Sequence, residues 1–324
     1  MLAAAATSID PANPLAALTV GDFPVPVVEE DWVRVRMRAA GLNHHDLWSL
    51  RGVGLSADRL PMILGCDAAG VLDDGREVIV HGVVGDSAAG GGDETLDPRR
   101  SMLSEVFQGT LAEYITVPAR NVIDKPPSLS FVDAACLPTA WLTAYRMLTT
   151  RAQVQPGQTV LVQGVGGGVS TAAIQLAHLL GARVWATSRD GAKRAAALEL
   201  GAEAAFEPGA RLPERVDAVM ESVGEATWAH SLKSLKPGGR LVVCGATSGP
   251  NPPADLSRVF FLQLSILGST MGTLDELIDL VSLVDRTGVR PTVSATYDLA
   301  DARAGFEQLA SGNLIGKIVL TSGN

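Results

Sequence analysis

The chain is predicted to be a two-domain α/β protein, and three observations carry the prediction. Residues 20–114 have the texture of short strands and turns. Residues 159–288 alternate strand and helix patterns, which means a parallel, doubly wound sheet. A length of 324 residues suits about two domains.

The elements follow in order. Residues 32–38 alternate apolar and basic side chains, as a half-exposed strand does, and 77–80 form another strand. Residues 82–100 are rich in Gly, Asp and Ala without periodicity, and are expected to be a mobile surface loop. The texture changes near Pro126-Pro127, and 132–149 are helix-like. A buried strand at 159–163 leads into a helix at 168–180 that stops at Gly181. After a strand at 183–187, Asp190 caps a helix that ends at Gly201. Strands follow at 216–221, 240–245 and 265–269. Thr273 and Glu276 make a capping box for a helix with an apolar face of Leu274, Leu277, Ile278, Val281 and Val284. The tail after Val289 reads strand, helix capped by Asp298, and last strand 315–320. It is able to complete the first domain.

Composition excludes several classes. With 26 Lys+Arg against 35 Asp+Glu the net charge is −9, a poor match to nucleic acid or a membrane surface. Apolar residues make up 47%, enough for a large core. Cys66, Cys136 and Cys244 are odd in number and far apart, which argues against a disulfide framework and fits a reducing cytoplasm. Neither a charged signal n-region nor a run of about 18 apolar residues is present.

The strongest chemical signal is Gly164-Val165-Gly166-Gly167-Gly168-Val169-Ser170, between a strand and an amphipathic helix. Glycines let the backbone approach a pyrophosphate, and the helix N-terminus offers free N–H groups and a positive dipole end. A tight strand–helix turn is the plain alternative; the β-α units that follow favour a dinucleotide. The end of the second strand selects which one. An acidic residue there would hold both ribose hydroxyls of NAD. Here it is Ser188, followed by Arg189 and, one helical turn on, Lys193. Neutral Ser188 and two cations point to the 2′-phosphate of NADPH. The competing reading has Asp190 on the ribose and the cations merely solvated.

Several segments resemble the medium-chain dehydrogenase/reductase superfamily, especially its zinc-independent quinone-oxidoreductase-like members. They are Gly41-Leu42-Asn43-His44-His45-Asp46-Leu47, residues 61–70 with Gly65-Cys66-Asp67, Gly109-Thr110-Leu111-Ala112-Glu113-Tyr114, Thr143-Ala144-Tyr145 and Gly316-Lys317-Ile318-Val319-Leu320. The resemblance implies a GroES-like β-rich substrate domain over residues 1–124 and 289–324, and a Rossmann domain over 125–288. It also implies that Thr143 touches the nicotinamide, that Gly245 and Ala246 line the cofactor site, and that Lys317 neutralises the pyrophosphate. For Thr143 the alternative is helix packing; for Lys317 it is an exposed edge charge.

Zinc-dependent relatives hold their metal where Asn43, Cys66 and Thr139 stand, and one Cys cannot hold a site that needs three protein ligands. No metal is expected. Without it, a substrate carbonyl needs hydrogen-bond donors. The catalytic candidates are Asn43 as that donor, His45 and Asp46 beside it, and Trp48 as a pocket wall able to stack on a flat substrate. Their alternatives are a capped turn for the first three and core packing for Trp48.

The implied activity is NADPH-dependent reduction of a small quinone, enone or activated carbonyl. A secondary alcohol dehydrogenase and a non-catalytic NADPH-binding sensor or structural protein remain as alternatives. The resemblance implies that the apolar segment 259–269 carries an edge strand that pairs across a homodimer two-fold; the alternative is an internal strand of a monomer.

Overall fold

The computed structural model describes residues 1–323. The chain forms two compact units, Met1–Leu142 with the residues from Met271 onward, and Thr143–Thr270.

The first unit is built on antiparallel strands. Trp32–Gly41 is its long central strand; Val35 and Met37 are buried while Arg36 faces solvent, the alternation that period two requires. It pairs with Ala68–Leu72, Tyr114–Pro118 and the C-terminal strand Lys317–Thr321. In the last pairing Val319 lies opposite Gly41, so the C-terminus is brought to the segment that carries Asn43. The core gathers Met37, Leu50, Leu64, Val80, Leu111, Phe306 and Ile318.

Residues 82–100 are more ordered than expected. Short strands Val83–Val84 and Ser101–Met102 pair at their base. Asp97 accepts from the Asp86 N–H at 2.8 Å, and Gly92 N–H donates to Ser87 O at 2.7 Å. Polar residues that look like solvated loop sequence here satisfy the backbone instead.

The sequence boundaries at 124 and 289 differ from those of the compact units. Residues 271–287 belong with the first unit because His81 Nε2 meets Gly272 O at 2.9 Å and Leu274 N–H donates to Glu94 Oε1 at 2.5 Å. On the helix Leu274–Thr287 the buried residues are Leu277, Leu280, Val281 and Val284; Ile278 is exposed. Leu280 replaces Ile278 on the inner stripe, since 277, 280, 281 and 284 keep the helical spacing. The stretch expected to be helical at 132–149 is helical in pieces, with π turns at Leu137–Trp141 and Met147–Arg151 around Leu142–Arg146.

The second unit is a six-stranded parallel sheet. Its strands are β1 (Thr159–Val162), β2 (Arg183–Thr187), β3 (Ala204–Phe206), β4 (Val216–Glu221), β5 (Leu235–Val243) and β6 (Ser265–Gly268). The order is β3-β2-β1-β4-β5-β6, with the switch point between β1 and β4. All four residues of β1 are buried, as expected of a strand covered on both faces. The apolar segment 259–269 splits: the helix Leu256–Phe261 ends before β6, and only 265–268 form the edge strand. No helix among the described residues is long and apolar enough to cross a membrane.

Candidate functional site

In the second unit the glycine turn leaves β1 and enters the helix Gly168–Leu179, with Gly167 as its N-cap. The first intrahelical bond is Thr171 N–H to Gly167 O, so the N–H groups of Gly168, Val169 and Ser170 precede it. These three residues and Gly167 form the mouth of the turn, where Gly167, Gly168 and Val169 are half-buried. Ser170, in place of a last glycine, locks the turn: its Oγ accepts from Gly166 N–H at 3.1 Å and donates to Gly167 O at 3.0 Å. Gly166 has φ +149, and a Cβ there would lie 2.9 Å from Lys193 Nζ. The Lys193 ammonium therefore lies over the turn, which the sequence spacing alone does not reveal.

Ser188 is buried at the end of β2, and Arg189 beside it is exposed. Asp190 caps the helix Gly191–Glu199, its Oδ1 accepting from Ala192 N–H at 2.8 Å. That bond and a longer one from Lys193 N–H hold its Oδ1 on the backbone. Gly245 and Ala246 sit in the loop after β5, which Ser248 N–H ties to Val223 O at 2.7 Å. Val223 also reaches Gly164, where a Cβ would meet its Cγ2 at 2.5 Å. The turns after β1, β2, β4 and β5 thus share the carboxyl end of the sheet, where open α/β sheets bind ligands. Thr143 is buried in the helix Leu142–Arg146. Val223 carries no motif, and only the sheet order could have pointed to it.

In the first unit the helix His44–Leu50 carries the other candidates. Consecutive residues diverge around a helix: His44 is exposed, His45 half-buried and Asp46 fully buried. Asp46 is structural, a correction to its catalytic assignment. Its Oδ2 accepts from Asn43 N–H at 2.8 Å and its Oδ1 from Gly65 N–H at 2.9 Å, which spends both oxygens on backbone. Burial pushes its carboxyl up to about 7, against these two bonds and the Lys317 charge. Trp48 is half-buried on the same helix.

Asn43 is also corrected. Its Nδ2 donates to Asp67 Oδ2 at 2.9 Å, with Gly41 O at 3.3 Å, and its Oδ1 accepts from Lys317 Nζ at 2.6 Å. An amide whose hydrogens are engaged inside the fold has none to offer a substrate carbonyl.

Lys317 is the largest departure from expectation. It is 3% exposed, and Nζ donates to Leu42 O at 2.8 Å, Asn43 Oδ1 and Asp67 Oδ2 at 2.9 Å. All three N–H groups are spent within the first unit, so this ammonium cannot neutralise a pyrophosphate. Burial pulls its pKa down, but the Asp67 charge beside it wins and holds it above the ordinary lysine value. Gly41 makes the approach possible: a Cβ there would stand 2.8 Å from Asp67 Oδ2 and 3.0 Å from Lys317 Cε.

The three positions that hold zinc in metal-dependent relatives do converge. Cys66 Sγ lies 3.3 Å from Thr139 Oγ1 and 3.8 Å from Asn43 Nδ2. Their chemistry does not fit the ion. The set offers one thiol, one hydroxyl and an amide nitrogen. Burial, with Asp67 and Asp46, raises the Cys66 thiol well above its usual range. Asp67 Oδ1 is buried without a partner, yet Lys317 already neutralises that carboxylate. Among the described residues no three His, Cys, Asp or Glu side chains are grouped to hold a metal.

Comparison with known proteins covers both units. A family profile described as the alcohol dehydrogenase GroES-like domain matches residues 29–127, and one described as zinc-binding dehydrogenase matches 168–286. The solved structure of an NAD-dependent alcohol dehydrogenase is 34% identical, with a TM-score of 0.92 and 100% of both chains covered. That of the 2-octenoyl-CoA carboxylase reductase CinF, in complex with NADP and 2-octenoyl-CoA, is 26% identical, with a TM-score of 0.90 over 99% of this chain and 87% of that one. The spectinabilin polyketide synthase system protein NorB of Streptomyces orinoci is 31% identical over 302 residues, 89% of this chain; the chain spans only 13% of that protein's length.

Proposed function

The chain belongs to the medium-chain dehydrogenase/reductase superfamily as a zinc-binding alcohol dehydrogenase-like member, and we propose that it is an NADPH-dependent, zinc-independent reductase of a small quinone, enone or other activated carbonyl. The observation that carries this reading is that Asn43, Cys66 and Thr139 stand where metal-dependent relatives keep their ligands, with the Asn43 amide held by Asp67 and the buried Lys317. A site without a Lewis acid suits acceptors that are already electrophilic.

The reduced nicotinamide supplies the hydride when bound. The mouth of the glycine turn, Gly167 to Ser170, receives the pyrophosphate on backbone N–H groups. Arg189 and Lys193 take the 2′-phosphate, and neutral Ser188 avoids the repulsion that an acid would bring. Thr143, Gly164, Gly245 and Ala246 complete the cofactor's surroundings. His45 replaces Asn43 as the leading polar group toward substrate, and Trp48 provides an apolar wall. The NADP-bound CinF and its enoyl-CoA ligand support both the cofactor and the acceptor class.

A homodimer belongs to the same proposal. β6 is an edge strand, Ile266 on it is exposed, and the preceding helix exposes Leu256, Phe260 and Phe261. Light scattering at micromolar concentration is expected to give twice the chain mass.

The deciding experiment is a panel of quinones, enones, aldehydes and secondary alcohols, followed by NADPH absorbance. Turnover of quinones or enones with NADPH is expected. Activity only on secondary alcohols with NADP would turn the reading to an alcohol dehydrogenase, the activity of the 34% identical structure. Tight NADPH binding with no turnover anywhere would favour the non-catalytic sensor or structural role.

A further inference from the structure

Glu221 ends β4 at the carboxyl edge of the second unit's sheet, and it is fully buried. Its Oε1 accepts from Val223 N–H at 2.7 Å and Gly224 N–H at 3.1 Å. Its Oε2 accepts from Thr227 Oγ1 at 2.8 Å and Ser231 Oγ at 2.7 Å. These donors are neutral backbone and hydroxyl groups. A buried carboxylate is costly once a hydrogen bond to it is lost, so it holds the groups that satisfy it in place.

The contacts continue without a break to the glycine turn. The Ser231 hydroxyl that donates to Glu221 accepts from Gln163 Nε2 at 3.0 Å. The other hydrogen of that amide goes to His230 Nδ1 at 2.9 Å, and His230 Nε2 donates to Ala210 O at 2.9 Å. Gln163 Oε1 accepts from Thr187 Oγ1 at 2.6 Å, and Thr187 Oγ1 accepts from Gly164 N–H at 3.3 Å. The series runs in one direction, from Gly164 through Thr187, Gln163 and Ser231 to Glu221, and uses no hydrogen twice. Gln163, Thr187 and Ser231 are as fully buried as Glu221.

The other side of the carboxylate carries the turns after β4 and β5. Val223 O accepts from Ser248 N–H and from Ser248 Oγ, both at 2.7 Å, and Glu225 N–H donates to Gly249 O at 3.2 Å. Gly224 has φ +92, and a Cβ there would strike Gly249 O, so a glycine is what lets the two turns close on each other. One buried carboxylate is thus joined, directly or through this series, to the turns after β1, β2, β4 and β5.

We propose that Glu221, Ser231, Gln163 and Thr187 are positioning residues for dinucleotide binding, which hold these turns in their binding shape and act only through them. The proposal rests on the cofactor reading given above. A turn that is already ordered takes a ligand without the cost of ordering it. The glycine turn meets the pyrophosphate, which NADPH and NADH share, so the assembly serves both alike. Arg189 by contrast acts on the 2′-phosphate alone.

The test uses the full chain with Thr187→Val, Ser231→Ala and the double variant. Each single change removes one hydroxyl and little volume. Fluorescence titration should show NADPH and NADH binding weakened by the same factor in each, roughly 3- to 30-fold. The double variant should bind little more weakly than the poorer single, because both changes cut one series. Thr187→Ser, which keeps the hydroxyl, should recover most of the affinity. Hydrogen exchange of the unliganded protein gives a readout that local packing would not move. Ser231→Ala should speed exchange at residues 164–166, and Thr187→Val at residues 223–225, each at the far end of the series from the change. Unchanged affinities in both singles, a loss confined to NADPH, additive losses in the double variant, or exchange altered only beside each substitution would each overturn the proposal. If Thr187→Val does not fold, Ser231→Ala decides by the same two measurements. Failure of the unmutated protein to bind either dinucleotide counts against the cofactor reading, while exchange still decides the assembly.

Discussion

Lys317 and Lys193 are the same residue type at two candidate sites, and their surroundings give them opposite work. Lys317 is sealed, its three N–H groups spent on Leu42 O, Asn43 and Asp67. Lys193 lies over Gly166 at the open mouth of the glycine turn, one helical turn from exposed Arg189. A cation whose donors are all used inside the fold stabilises structure; one at a half-exposed turn is able to meet an anionic ligand. Burial separates the two roles.

The contrast is broken most severely at Lys317. Lys317→Met leaves Asp67 buried and unpaired, and removing one partner of a buried pair costs about 3–5 kcal/mol. Urea unfolding should show this loss, and Asp67→Asn with Lys317→Met should cost less than the sum of the two single changes. NADPH affinity of whatever folded Lys317→Met remains should be unaltered; a selective loss of NADPH binding would return Lys317 to the cofactor site.

At the open cation the effect should fall on binding. Arg189→Ala is expected to weaken NADPH binding roughly 10- to 100-fold, the worth of a charge-assisted hydrogen bond or two, and to leave NADH binding nearly unchanged. Fluorescence titration with both dinucleotides reads this directly. Equal or tighter NADH binding by the unmutated protein would invalidate the 2′-phosphate assignment.

A smaller effect is expected from pH. Half-buried His45 titrates at about 4 against an ordinary 6.5, so the unfolded chain binds more protons in that window. Its contribution to stability is complete above pH 6.5 and is lost as pH falls toward 4. Asp46, at about 7 against 3.8, has the opposite slope, losing stability as pH rises through the same range. His45→Gln removes only the first slope. The Tm of His45→Gln relative to the unmutated protein should therefore rise steadily from pH 7 to 4.5, and a constant difference would contradict a neutral His45.

The smallest expected effect is of chelation. Dialysis against EDTA should change neither Tm nor turnover, and metal analysis should find well under one zinc per chain. One equivalent of zinc in cleanly purified protein would contradict the misfit at Asn43, Cys66 and Thr139.

Much of the second unit was legible in the sequence because its signals are local. Strand–turn–helix spacing, Ser188 at the end of β2 and Asp190 as a cap each depend on residues within a few positions. The first unit was harder to read. Asn43 looked like a substrate donor because its hydrogen-bond partners lie 24 and 274 positions away. Residues 82–100 looked unstructured because side chain–backbone bonds such as Asp86 to Asp97 leave no periodic trace.

By itself the sequence determined the strand–helix alternation, the glycine turn and the neutral Ser188 at the end of β2. Each follows from residue type and short-range periodicity, which the chain carries without folding. The tertiary structure alone decided which groups are spent and which are free. The pairing of Val319 with Gly41 carries Lys317 onto Asn43 and Asp67, and burial turns that meeting into a closed ion pair. The same folding sets Ser104 and Glu105 beside His45 across 59 residues. Hydrogen bonds and Coulomb interactions act over a few ångströms whatever the separation along the chain, so only the folded chain can assign them.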